Sequence, residues 1–346
     1  MPGRREQAPA FPGGAPPRAS VVICAYTRER WAELGAAVRS VQDQTPHPHE
    51  LIVVIDHNPA LLERARPAFC HATLAATVIP NAERPGLSGA RNTGLRAASG
   101  EVVVFLDDDA AAQPGWLGAL LAPYADPNVL GVGGRVEPEW RGGAPAWFPD
   151  EFLWVVGCSY RGLPARPGVV RNLIGANMSC RRDVALEVGG FRAALGRVGR
   201  LPLGGEETEF CIRAGRHFAG GTWLYQPGAA VRHAVPGGRA TGRYFLRRCF
   251  AEGLSKARVS RFVGPGAALS SELAHAARVL PRGVLRGARE ALGGDPAGLR
   301  RALAIAAGLT AVAAGYAVGL ASPKPPFVRG RTPGPAPRRR SNGAAP

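Results

Sequence analysis

Three consecutive carboxylates, Asp107-Asp108-Asp109, follow the apolar run Val102-Val103-Val104-Phe105-Leu106. Like charges this close repel one another and cost stability unless a cation or hydrogen-bond donors offset them. Hard oxygen ligands suit Mg²⁺ or Mn²⁺, and Mg²⁺ commonly takes one or two carboxylates together with a substrate's phosphates. A solvated loop ahead of Pro114, which opens the next helix, is the plainer reading of the same triplet. A second acidic group, Gly204-Gly205-Glu206-Glu207-Thr208-Glu209, leads into a helical pattern through Phe210, Ile212 and Arg213. Carboxylates there can take a proton from an attacking hydroxyl, or simply complement the positive end of a helix. Upstream of the aspartates runs Gly86-Leu87-Ser88-Gly89-Ala90-Arg91-Asn92-Thr93-Gly94. Its glycines permit close backbone approach, and Arg91 offers a planar fork for phosphate or for the carboxylates, with a structural salt bridge as the alternative. Asp56 can accept from a base or ribose hydroxyl, or cap a helix. His233 follows Ala229-Ala230-Val231 and can reach a metal or diphosphate, although a lone histidine is more often structural. His47 and His49, separated by Pro48, belong to a turn without chemistry.

These groups need elements to carry them. Ser20–Ala25, Leu51–Ile55, Ala76–Ile79 and Glu101–Leu106 read as buried strands. Helical patterns fall between them, at Trp31, Leu34, Val38 and Val41, over Ala60–Phe69 and over Ser88–Ala98. Continuous apolar strands alternating with helices predict a mostly parallel sheet covered on both faces. Ligands of such sheets lie beyond the carboxyl ends of the strands. Those ends carry Tyr26-Thr27-Arg28, Asp56-His57-Asn58 and the three aspartates. The stretch 131–235 is less periodic and rich in Gly, Pro and aromatics. From Tyr244 the chain is helical and basic, and Ala302–Ala321 holds 20 residues without a charge. That length just spans a bilayer, but its Ala and Gly content equally fits a buried helix.

The 346 residues are 46% hydrophobic and 20% charged, which fits a globular protein and excludes a wholly disordered one. The six cysteines form no C-x-x-C pair, so neither a zinc module nor a disulfide framework is expected, and a reducing compartment is. Met1–Pro17 lacks the apolar run of a signal peptide. The net charge of +17 suggests nucleic acid, yet only Lys256 and Lys324 among the 43 basic residues are lysines. An arginine excess beside abundant Ala, Gly and Pro reads as a compositional bias, with a solvated or lipid-facing basic surface toward the C-terminus. No nucleic-acid partner is expected.

Five ordered stretches, SVVICAYTRER, LIVVIDHN, GLSGARNTGLRAASGEVVVFLDDDA, GANMSCRRDVALEVGGF and GGEETEFCIRAG, resemble the family 2 glycosyltransferases. The resemblance covers residues 19–235 and implies the GT-A fold, an α/β nucleotide-sugar-binding domain, here followed by a helical C-terminal region. It implies a nucleotide-sugar donor, Mn²⁺ or Mg²⁺, and inverting transfer to an acceptor hydroxyl of unknown identity. By position, Thr27, Arg28 and Asp56 would line the nucleotide pocket, with Arg91 near the diphosphate. Asp107 and Asp108 would serve nucleotide and metal, and Asp109 would be the principal metal ligand, joined by His233. Glu206-Glu207 matches the family's Glu-Asp pair, which puts Glu207 at the catalytic-base position, where Asp is commoner, with Glu206 as a substitute. Asn177 would hydrogen-bond sugar hydroxyls; Arg181 and Arg182 are equally readable as structural. Trp140, Trp147, Phe148 and Trp154 are either stacking surfaces or core.

The expected organisation is a flexible tail (1–18), the catalytic domain (19–235), a basic helical extension (236–301), an apolar helix suited to a membrane (302–321) and a disordered tail (322–346). The expected location is the cytoplasm or the cytoplasmic face of a membrane. Two readings compete: a nucleotidyltransferase, and an inactive membrane-surface binding protein of the same fold. The first would need a Gly-rich phosphate loop after the first strand, where the chain has Ala25-Tyr26-Thr27-Arg28.

Overall fold

Alternate residues of the apolar runs face two separate cores, which is why these strands carry almost no polar side chains. The computed structural model describes residues 16–70, 74–196 and 203–322; most of both expected tails lies outside these. Strand β1 (Ala19–Ala25) sends Val21 and Ile23 into one core and Val22 into the other. Strands β2 (Glu50–Ile55) and β4 (Val102–Asp107) alternate likewise, with Leu51, Val53 and Val104 on one face and Ile52, Val54 and Phe105 on the other. Helices α1 (Trp31–Gln42) and α2 (Pro59–Ala68) cover the first face; α3 (Leu87–Ala97) covers the second. With β3 (Ala76–Pro80), the strands pair in parallel in the order β3-β2-β1-β4.

Beyond β4 the sheet becomes mixed. The elements there are β5 (Ala110–Ala112), β6 (Val129–Trp140), β7 (Gly168–Val170), β8 (Asn177–Arg181) and β9 (Thr222–Val235). The order continues β4-β8-β6-β9-β5, with β7 also on β9. Strand β8 is antiparallel to β4 and β6, while the long β6 and β9 run parallel. Their register slips between Gly134 and Arg135, opposite Gln226 and Ala230, so β9 bulges at Pro227–Ala229. Helices α4 (Trp116–Leu121), α5 (Arg182–Glu187) and α6 (Glu206–His217) complete the α/β domain.

Four helices follow: α7 (Gly242–Val263), α8 (Pro265–Arg278), α9 (Leu280–Leu292) and α10 (Pro296–Ala321). The Thr241 hydroxyl caps α7 by accepting from the Tyr244 N–H, and the Asp295 carboxylate caps α10 by accepting from Ala297. Helix α10 starts at Pro296, six residues before the uncharged stretch, so the expected boundary at 302 falls inside a helix. Its small residues bring it onto α7 at backbone contact. A methyl group on Gly253 would lie 2.1 Å from the Val312 carbonyl oxygen, and one on Gly315 would lie 2.0 Å from that of Phe250. Arg301, near its start, donates to the Ala146 carbonyl and pairs with Glu290 and Asp295. The helix therefore lies along the α/β domain on one side. Its other side exposes Leu299, Leu303, Val318 and Leu320.

Candidate active site

The sheet itself assembles the acidic edge. Asp107 ends β4, and the chain turns through Asp108 and Asp109 into β5. Strand β5 pairs antiparallel with β9, setting Ala110 opposite His233, and Ala234 N–H donates to the Asp109 carbonyl at 2.8 Å. That register lays His233 Nε2 3.1 Å from Asp109 Oδ1. Ligand atoms of Asp107, Asp109 and His233 all lie within 4.8 Å of one another. Arg30, from the short 3₁₀ turn Arg28–Arg30 after β1, donates through Nη1 to Asp108 Oδ1 at 2.8 Å and reaches Asp109 Oδ2 at 2.9 Å. Arg239 Nη2 is 3.8 Å from Asp109 Oδ2.

These neighbours split the two buried aspartates. Burial pushes the Asp108 carboxyl up to about 7, with the Asp109 charge adding to the rise and Arg30 opposing it. Burial also disfavours charge on Asp109 and His233. Their mutual attraction outweighs it, holding Asp109 well below the usual carboxylate range and raising His233 to about 10. Asp108 Oδ2 is buried without a hydrogen-bond partner among the described residues. Two carboxylates and an imidazole, whose proton a metal would displace, converge beside an orphaned buried carboxylate oxygen and fit a divalent cation of the Mn²⁺ or Mg²⁺ kind.

Arg91 ties this edge to the second acidic group. Its fully buried guanidinium donates to Glu206 Oε1 at 3.0 Å, to the Gly175 carbonyl at 3.0 Å and to Asp107 Oδ1 at 3.4 Å. Gly175 must lack a side chain, because a Cβ there would meet Arg91 Nη2 at 2.6 Å. The charge of Glu206 is thereby spent on Arg91. Glu207, the next residue of α6, has its Oε2 shielded from solvent without a partner among the described residues. Burial first, and the adjacent Glu206 second, push its carboxyl up to about 8, against the pull of Arg91. Glu209 faces away into ion pairs with Arg192 and Arg213.

Asp107, Asp109, His233, Arg91, Glu206 and Glu207 line one cavity of about 650 Å³. It continues past Trp154 to Leu280 of α9 and to Leu309 and Val312 of α10. A small recess beside it is lined by Tyr26, Arg30, Asp56, Asp107 and Asp108. Within it the Asp56 carboxylate accepts from Asn81 Nδ2 at 2.7 Å and from Gly86 N–H at 2.8 Å, leaving lone pairs for a further donor. Thr27 and Arg28 line neither space. The Thr27 hydroxyl instead caps the turn that carries Arg30, accepting from Glu29 N–H.

Asn177 requires a correction. Its side chain is fully buried, and Nδ2 donates to the carbonyls of Arg135 and Ala229, both freed by the β9 bulge. Its Oδ1 accepts from Trp116 Nε1 at 2.8 Å. With its donors and acceptor spent inside the sheet, Asn177 plugs the bulge and has nothing to offer a sugar. Asn177→Ala should accordingly destabilise the fold by about 2–4 kcal/mol, because three buried polar groups lose their partner. Chemical denaturation checks this; an unchanged midpoint would contradict it.

Arg181 is likewise structural, donating to the Val129 and Asp126 carbonyls. His47 and His49 are exposed, outside both spaces. Trp140, Trp147 and Phe148 pack on one another or on Phe245 of α7 as core, whereas Trp154 faces the cavity. Arg30 and Arg239 escape sequence reading. Arg30 stands three residues past Thr27 in a recognised stretch, but only the 3₁₀ turn aims it at the aspartates, and Arg239 has no sequence signal at all.

A mixed sheet with an acidic edge, a cluster of side chains able to hold a cation and a facing carboxylate is the arrangement of the GT-A glycosyltransferase class. Solved structures share that fold. A mannosyltransferase from Pyrobaculum calidifontis, in complex with GDP-Man and Mn²⁺, aligns over 90% of this chain and 91% of its own, with 20% identity and a TM-score of 0.55. GalNAc-T7 with UDP, GalNAc and Mn²⁺ aligns over 71% of this chain and 51% of its own, with 18% identity and a TM-score of 0.50. Residues 20–189 match the glycosyl transferase family 2 profile. A glucosyl-dolichyl phosphate glucuronosyltransferase of Haloferax volcanii is 37% identical over 241 residues, 69% of this chain and 76% of that protein. Succinoglycan biosynthesis protein ExoM of Rhizobium meliloti is 29% identical over 245 residues, 68% and 73% of the two chains. The chain belongs to glycosyl transferase family 2 and is a glycosyltransferase. That sets aside both the nucleotidyltransferase and the inactive binding protein.

Proposed function

We propose that the enzyme moves a sugar, with inversion, from a nucleotide-sugar donor to a hydroxyl of an amphiphilic acceptor at a membrane surface. The observation that carries this reading is one cavity holding three kinds of wall. It has the Asp107–Asp109–His233 cluster at one end, Glu207 beside it with an Oε2 that has no hydrogen-bond partner among the described residues, and the apolar residues of α9 and α10 beyond. The nucleoside would sit over the recess at Tyr26 and Asp56, with Asp108 in its wall and Thr27 and Arg28 following Tyr26 in the chain. Asp107, Asp109 and His233 would hold the metal. A divalent ion held there would neutralise charge on the departing nucleoside diphosphate.

The chain's own residues supply the rest. Arg91 fixes Asp107 and Glu206 relative to each other through one guanidinium. Glu207 takes the acceptor's proton as the acceptor oxygen forms its bond to the anomeric carbon. The bond from that carbon to the diphosphate breaks on the opposite face, and its electron pair leaves with the nucleoside diphosphate. Glu207 suits this better than Glu206, whose charge is neutralised by Arg91.

Helix α10 is long and apolar enough to cross a membrane, with about a fifth of its most apolar window buried. Its packing on α7, and the exposed Leu285, Leu292, Arg282 and Arg289 of α9, favour a helix pair lying against an anionic lipid surface. Sugar-labelled nucleotide-sugars incubated with enzyme, Mn²⁺ and a lipid extract of the source cells should pass label into the organic phase, and chelator should stop it. Label confined to water for every donor would contradict an amphiphilic acceptor.

The base also sets a pH dependence. A carboxyl raised to about 8 is protonated, and useless as a base, below that value. The facing charges that tune it are Glu206, Arg91 and Arg248. The rate of transfer at subsaturating acceptor should rise about tenfold per pH unit on the acid side and level off on the alkaline side. A pH–rate profile flat from pH 5 to 8 would refute this.

A further inference from the structure

The cavity wall between Glu207 and the apolar helices carries a ladder of five alternating charges, none of which takes part in the transfer step itself. Arg248, Glu252 and Lys256 stand four residues apart on one face of α7. Arg248 Nη1 donates to Glu252 Oε2 at 2.8 Å, and Lys256 Nζ lies 3.5 Å from Glu252 Oε1 and 2.6 Å from Glu272 Oε1 on α8. Arg171, just after β7, closes the ladder with two bonds to Glu272 at 2.6 and 2.7 Å. Three cations thus face two anions. All five line the cavity, and the Lys256 side chain is only 7% exposed.

Resting on the amphiphilic-acceptor reading, we propose that the Arg248 end of this ladder binds a phosphodiester in the acceptor, between its reacting sugar and its apolar tail. Taking a net positive charge out of water is costly unless an anion arrives to match it. A phosphodiester carries one negative charge, which equals the ladder's excess. It also has two ester arms, which suit a cavity with a catalytic carboxylate on one side and Leu280, Leu309 and Val312 on the other.

The two ends of the ladder differ in what they can still bind. Arg171 is saturated: besides Glu272 it donates to the carbonyls of Ala267 and Ala268 and to Asn172 Oδ1. Arg248 spends only Nη1 among the described residues. Its guanidinium lies 5.9 Å from the Trp154 ring and within electrostatic reach of Glu207. Its remaining donors form a planar fork of the kind that grips phosphate oxygens. Arg248 is therefore a positioning residue that fixes the acceptor hydroxyl relative to the base.

Titration calorimetry on the full chain with methyl octyl phosphate, a phosphodiester with one apolar tail, tests this without knowing the acceptor. Saturable binding is expected, at least tenfold tighter than that of the uncharged octyl glucoside. Arg248→Gln should weaken it tenfold or more, and Arg248→Lys, which keeps the charge but not the fork, should restore part of the affinity. Glu252 keeps Lys256 as partner in Arg248→Gln, so the variant is expected to fold. Should it not, the charged and neutral probes compared on the parent chain, together with Arg248→Lys, decide the matter. Equal binding of both probes, or undiminished binding by folded Arg248→Gln, overturns the proposal. Dimethyl phosphate binding as tightly as methyl octyl phosphate assigns the subsite to a soluble phosphodiester and overturns its link to a lipid tail. Mn²⁺-dependent nucleotide binding, measured in parallel, reports on the transferase reading separately, because the probes need neither metal nor nucleotide.

Discussion

Replacing Glu207 by Gln should slow sugar transfer by about 10²- to 10⁴-fold, the range expected when a positioned general base is removed, while metal-dependent nucleotide binding persists. Gln keeps the length and most of the polarity of Glu but cannot take a proton. The change also removes a carboxylate that burial and Glu206 already make costly to ionise, so stability should hold or improve slightly. Activity and stability are thereby separated. The neighbouring Glu206→Gln should behave differently. It takes a charge partner from the fully buried Arg91, and its first effect should be on folding. A Glu207→Gln enzyme that transfers at the parent rate would move the base to another carboxylate of the cavity.

Asp109→Asn should abolish metal-dependent nucleotide binding, with a loss of at least 100-fold in apparent metal affinity at constant nucleotide. Asp109 is the residue on which the cluster converges, meeting His233 at 3.1 Å, Arg30 at 2.9 Å and Arg239 at 3.8 Å. These neighbours hold it ionised, as a ligand must be, and a metal ion taking the His233 nitrogen would displace the proton that Asp109 holds there. Asn presents an uncharged oxygen and removes the charge that holds the His233 proton, while Arg30 keeps Asp108 as its partner. The readout is a Mn²⁺ titration at fixed nucleoside diphosphate, followed by calorimetry. An unchanged midpoint would show that Asp107 and His233 suffice without it.

What the sequence made legible follows from burial. β1, β2 and β4 are covered on both faces, so their apolar runs mark them directly, and the polar residues at their ends necessarily fall on one edge. β6 and β9 are longer but, apart from the strand-like Ala229–Val231, not apparent, because Gly131, Gly133 and Gly134 and the Pro227–Ala229 bulge interrupt the alternation. Asn177 looked available to a sugar because nothing local reveals that its amide answers carbonyls 42 and 52 residues away. The pairing of Asp109 with His233 depends on the β5–β9 register. The charge ladder joins residue 171 to α7 and α8 and exists only once the bundle has folded.

The central claim, a metal-dependent nucleotide-sugar site at Asp107, Asp109 and His233, is tested most directly by thermal unfolding with UDP, GDP and dTDP, each with Mn²⁺ or with chelator. A ligand at a hundred times its dissociation constant stabilises the native state by about 2.7 kcal/mol, a readily measured rise in Tm. The account predicts such a rise with at least one nucleotide, absent with chelator and absent in Asp109→Asn. A folded protein whose Tm moves with none of the three nucleotides, with or without Mn²⁺, would contradict it.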